Sequence, residues 1–166
     1  MTAVELIRGE ALAVLKAAGL EAVAAYERMT AAKQEGAVIA VGVGKIESGA
    51  AGLGDYLGER MDEETLAVRE EYGRRATVEL TLNAYAPRNG GAAACAAALE
   101  AAHDALLSGS GAFRHAGMEW GKAVFDKDSG LFLQQGTLRC EVFFVAVVEE
   151  ESQLLLDFKL KGALET

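Results

Sequence analysis

The eleven residues from Ala76 to Ala86, ATVELTLNAYA, alternate without a break: Val78, Leu80, Leu82 and Ala84 fall on one side, and Thr77, Glu79, Thr81, Asn83 and Tyr85 on the other. A period of two describes a strand with one face buried and the other meeting water or a partner. The chain then turns through Pro87, Asn89 and the pair Gly90-Gly91 into AAACAAALEAAHDALL, whose stripe Cys95, Leu99, Ala102 and Leu106 has helical spacing. Most of that helix surface is alanine, so it can lie unusually close to the sheet beneath it. A sheet with one dry face and a small-faced helix pressed on it is the core that any fold of this chain has to contain.

The rest of the chain builds around that unit. Thr2 with Glu5 reads as a capping box opening a helix to about Ala18, with Val4, Ile7, Leu12 and Leu15 at helical spacing and Gly19 as its stop. LEAVAAYERM, from Leu20 to Met29, reads as a strand because it follows the glycine stop, although its alanines favour helix. GAVIAVGVGKIE, from Gly36 to Glu47, is a short apolar run rich in Val and Ile and reads as a strand buried on both faces. Ser48 to Thr65 packs four glycines and a carboxylate cluster together and reads as the longest loop, a segment that orders on assembly, with Gly52, Leu53, Gly54, Asp55 and Tyr56 at its centre.

The last third is strand-like throughout: FRHAGMEWGKAVF, a DKDSG turn, LFLQQGTLRCEVFFVAVVEEE and a closing LLLDFKLKG. Within TLRCEVFFVAVV the face that begins as Thr137, Arg139 and Glu141 continues as Phe143, Val145 and Val147. A strand that is apolar on both sides must be covered twice, which marks Phe143, Val145 and Val147 as a candidate subunit interface. With no internal repeat, linker or composition break, residues 1–166 read as a single α+β domain, a mainly antiparallel sheet with an N-terminal and a central helix on one face.

Charge and chemistry narrow the function. The 166 residues are 51% hydrophobic, ample for a core, and 16 Lys and Arg stand against 25 Asp and Glu. The resulting net charge of -9 repels a phosphate backbone and argues against tight nucleic-acid binding. The charged N-terminal segment has neither the apolar core of a signal peptide nor a spanning length, so a membrane role is not expected. Cys95 and Cys140 sit inside apolar patterns and read as buried free thiols of a reducing cytoplasm.

No stretch completes a catalytic or cofactor motif. VGVGK, ending at Lys45, lacks the glycine and the Ser or Thr of a phosphate loop, holding Ile39 and Ile46 there. APRNGG has no glycine spacing for a dinucleotide and no lysine after it, so an anion seat at Gly90 and Gly91 rests only on the helix start. DKDSG lacks the glycine and glutamate of a calcium loop, having Leu131 and Thr137 instead. His103 and His115 have no adjacent nucleophile or metal-ligand partner, Trp120 reads as a core or interface anchor, and the acidic runs at Asp62 and Glu149 read as solvated ends. No cofactor or metal is expected.

In order, the helix, the strand AVIAVGVGKIE, the loop GLGDYLG, the strand ending in YAP that turns through glycine into a helix of small residues, FDKDSGLF, GTLRCEVFF and LDFKLKG resemble the tail terminator, or tail-completion, proteins of long-tailed bacteriophages and prophages. The resemblance covers most of the chain and is one of layout. It implies a structural protein, not an enzyme, that forms a homohexameric ring, caps the finished tail tube and joins it to the head through tail-tube and head-connector proteins. It also implies a place in the virion tail or neck, after assembly in the host bacterial cytoplasm. In such a ring the two-sided apolar strand from Val142 to Val148 would serve as the subunit contact, and the Ser48–Thr65 loop would order against the tube or face the lumen. The tail-tube protein itself, which polymerises, is the near alternative. A small cytoplasmic α+β enzyme or ligand-binding domain with an anion site at Gly90-Gly91 is the alternative of another class.

Overall fold

The computed structural model describes residues 2–24, 34–50, 55–61, 63–108, 111, 113–148 and 158–161. Helix α1 (Ala3–Ala17) starts on the expected capping box. Thr2 Oγ1 accepts the Glu5 amide at 3.2 Å, and Glu5 Oε2 accepts the Thr2 amide at 2.7 Å. It ends where Gly19, at φ +80°, turns the Leu20 amide back onto the Leu15 carbonyl at 3.0 Å. Its buried face is Ile7, Ala11, Val14 and Leu15, so Ala11 and Val14 take the place expected for Val4.

Strand β1 (Ala22–Val23) is only two residues long and runs parallel to β2 (Val38–Ala50). The remainder of the LEAVAAYERM expectation lies outside the described residues. Strand β2 is buried on both faces only from Val38 to Val41 and becomes increasingly exposed beyond. Strands β3 (Tyr56–Met61) and β4 (Val68–Ala86) follow, then α2 (Gly91–Ser108), β5 (Arg114–Trp120), β6 (Val124–Asp126), β7 (Leu131–Val148) and β8 (Phe158–Lys161). The sheet runs β1-β2-β4-β7-β5, with β3 also on β4, and β6 and β8 also on β7. Every described pairing except β1–β2 is antiparallel, and the α+β class holds.

Its spine is the β4–β7 pair, of 19 and 18 residues, in unbroken register from Ala86 opposite Phe132 to Glu70 opposite Val148. Strands of that length are well beyond the usual five or six residues. Both helices lie on one face. There Cys95, Leu99, Ala102 and Leu106 of α2 are buried with Val78, Leu80, Leu82 and Ala84 of β4 and Leu138 and Cys140 of β7. Gly136 makes the close approach of helix and sheet explicit: a Cβ there would stand 3.3 Å from Leu99 Cδ2 and 3.3 Å from the Leu82 carbonyl oxygen.

The helices cover only part of the spine. Strand β2 pairs with β4 as far as Arg74, and β3 then continues along the same edge of β4, opposite Tyr72 to Val68. Strands β2 and β3 are therefore one interrupted strand, and with β4 they form a long hairpin whose outer part, flanked by β7 as far as Glu70 and by β8 on β7, extends past the helix-covered core as an arm. This corrects the expectation of a loop over Ser48–Thr65: β2 reaches Ala50, and Tyr56–Met61 is strand. The glycines and carboxylates there have low intrinsic strand preference, but β4 supplies a complete partner.

Candidate assembly surface

Of the residues expected to form an assembly loop, Gly52, Leu53 and Gly54 lie outside the described residues. Asp55 immediately precedes β3 and Tyr56 opens it. Asp55 adopts φ +61° and its carboxylate lies 3.5 Å from Arg74 Nε. Tyr56 meets Tyr72 edge to face at 5.5 Å between ring centres, and the Tyr72 hydroxyl donates to Glu70 at 2.7 Å. That bond holds the Tyr72 phenol protonated and raises its pKa. Partial burial, then the carboxylates of Glu59 and Glu70, raise Tyr56. Neither phenol is poised to ionise, so the cluster is a clasp at the base of the arm and not a proton-transfer site.

The residues expected as a subunit interface are placed differently. Phe143 and Val145 share the helix-free face with Arg75 and Gly73 of β4, as the alternation requires. They are nevertheless 8% and 1% exposed, buried within a single chain. That is a correction: two-sided apolarity is already answered inside the chain at these positions, and they offer no surface to a second copy as they stand. Leu57 is part of the answer, since its Cδ1 lies 2.8 Å from where a Gly73 Cβ would be. The side chain of Val147 lies outside the described residues.

The exposed large apolar side chains lie elsewhere, and mostly in two groups. Tyr56 (40% exposed), Met61 (59%), Leu66 (74%) and Val68 (55%) belong to the arm, with Met61 directly opposite Val68 and Leu66 in the connecting turn at φ +55°. Trp120 (38%) and Val124 (64%) flank the break between β5 and β6. There Gly121 to Ala123 leave the β7 edge, held by the Gly121 amide on the Gln135 carbonyl at 3.0 Å and by Gln134 Nε2 on the Gly121 carbonyl at 2.7 Å. The break opens a cleft of about 730 Å³ lined by Glu119, Trp120, Lys122, Val124, Leu133, Gln135 and Thr137. A smaller hollow beside it adds Arg139. Alternation alone does not locate this cleft, because FRHAGMEWGKAVF reads as one continuous strand.

The open face carries Lys45, Glu79 and Arg139 in one cross-strand row. Arg139 lies 3.6 Å from Glu79, and Lys45 meets Glu47 at 2.6 Å. These are solvated pairs of small energetic weight.

At the start of α2 the amides of Gly90 and Gly91 both donate to the Pro87 carbonyl at 3.0 Å, and Asn89 Oδ1 also accepts from Gly90. The amides of Gly90 and Gly91 are therefore both engaged within the turn. His103 Nδ1 is 3.1 Å from Asp104 and its ring lies 6.2 Å from Trp120. Both cysteines are free and buried; burial raises each thiol, Cys140 to about 11. Asp126 spends its carboxylate on the Asp128 and Ser129 amides and the Ser129 hydroxyl, which forms the β6–β7 turn and keeps its pKa low. Among the described residues no three His, Cys, Asp or Glu side chains gather as a metal site, and no helix is long and apolar enough to cross a membrane.

No family model matches the chain, and no curated protein matches it.

Proposed function

We propose that this protein is a structural assembly protein of the tail-terminator type, which forms a homo-oligomeric ring, closes the end of a phage tail tube and presents a surface for the head. The observation that carries the reading is the arm: the outer part of the β2/β3–β4 hairpin extends past the helix-covered core and holds four of the eight exposed large apolar side chains among the described residues. Such surface at the outlying end of a sheet is costly in a solitary protein and useful in one that docks. Support also comes from the layout of helix, long hairpin, small-faced helix and antiparallel strands, and from the net charge of -9, which suits a channel through which DNA passes without adhering.

The tail-tube reading shares this layout and differs in outcome, since a tube subunit polymerises without limit. The small-enzyme reading rests on an anion seat at Gly90 and Gly91, whose amides both donate to the Pro87 carbonyl. The test is genetic. Tube and head-connector reading frames should flank this one, and deleting it should leave filled heads unjoined to tails of uncontrolled length. Flanking metabolic genes, or intact virions after deletion, would count against the proposal.

A further inference from the structure

Resting on the ring reading, we infer that the arm tip of one copy docks into the β5–β6 cleft of the next. The two surfaces are matched in character. The tip offers Met61, Leu66 and Val68, and its turn carries the exposed acids Glu63 and Glu64. The cleft offers Val124 and Leu133, with Lys122 on its rim to meet the acids and Glu119 to meet the Arg60 and Arg69 rung just behind the tip, while Trp120, opposite Gly136, turns its ring to the other face of the sheet, 6.2 Å from His103. An apolar centre with opposite charges around it is the composition of a specific contact.

Topology decides that the contact is between copies. Leu133 lies opposite Tyr85, whereas the tip lies beyond Val68, seventeen residues away along β4. At the rise of an antiparallel strand that separation is roughly 50 Å even allowing for twist. A chain cannot reach its own cleft with its own tip. Two different patches on one chain that bind each other give a head-to-tail contact, and such contacts generate rings when the rotation closes and fibres when it does not. Gln134, 6% exposed, anchors the Gly121 carbonyl from the helix-covered side and fixes the rim of the cleft.

The test uses the full chain carrying cysteines at both surfaces, Leu66→Cys with Val124→Cys, and, to guard against an effect of the strained turn, Met61→Cys with Val124→Cys. The native thiols are fully buried and stay silent. Under mild oxidation each double variant should form covalently linked multimers, and each single variant should remain unlinked. Multimers from Leu66→Cys alone would mean a symmetric tip-to-tip contact and would overturn the inference. If the double variants assemble non-covalently but do not link, the docking is wrong and the ring reading survives. If they neither link nor assemble, both fail.

Discussion

Arg60 stands directly opposite Arg69 across the arm, one rung from Glu59 opposite Glu70. Like charges facing each other across an antiparallel pair cost stability, roughly 0.2–1 kcal/mol per rung. Glu71, 4.0 Å from Arg60, offsets part of that cost. Replacing Arg69 with Glu should stabilise β3 by about 0.5 kcal/mol, visible as slower amide hydrogen exchange over Tyr56–Met61. Unchanged or faster exchange would show that the charged rungs are not what limits the arm.

Gly73 is where the arm joins the core. A Cβ there would meet the Phe144 carbonyl oxygen and stand 2.8 Å from Leu57 Cδ1. The backbone oxygen cannot yield as a side-chain end can. Gly73→Ala should cost about 1–3 kcal/mol through overpacking, read as a lower denaturant midpoint with faster exchange concentrated in β3.

Much of the core was legible in the sequence, and the reason is periodicity. The alternation of Ala76–Ala86 and the stripe Cys95, Leu99, Ala102 and Leu106 each report a local environment, and all four stripe residues are buried as expected. The arm was not legible, because Val68 to Arg75 is charged on both sides and Tyr56 to Met61 is interrupted by Gly58. Those segments are strands through their pairing with each other and with β7, a non-local cause that no window of residues displays. The same holds for Phe143 and Val145: apolarity on two faces announces that both are covered, but not whether the cover comes from this chain or another. The cleft was missed because the break at Gly121 is a departure from pairing, not from composition.

Cys140 gives the protein a predictable weakness in alkali. Burial penalises the thiolate and moves the thiol from its ordinary 9.0 up to about 11 in the fold. Its contribution is thus whole below pH 9 and lost as pH rises through 11, a fall of up to about 2 kcal/mol. Unfolding free energy measured from pH 8 to 11 should decline by that amount, and Cys140→Ala should flatten the decline. An equally steep fall in the variant would place the cause elsewhere.

Gly91 sits at φ +61° at the first turn of α2, a conformation that costs an alanine about 1 kcal/mol or more. Gly90 and Gly91 replaced by alanine should therefore lower the melting temperature and impair assembly. Calorimetric titration with nucleotide should register no binding in either protein. A folded variant that had lost a measurable nucleotide affinity would revive the anion-site reading.

Closed homo-oligomerisation underlies both the proposed function and the docking of arm into cleft, and native mass spectrometry of the full chain over a rising concentration series probes it without any substitution. One species of fixed stoichiometry, a hexamer on the tail-terminator resemblance, should accumulate and then cease to grow. A monomer at every concentration, or a ladder of masses with no upper limit, would contradict it.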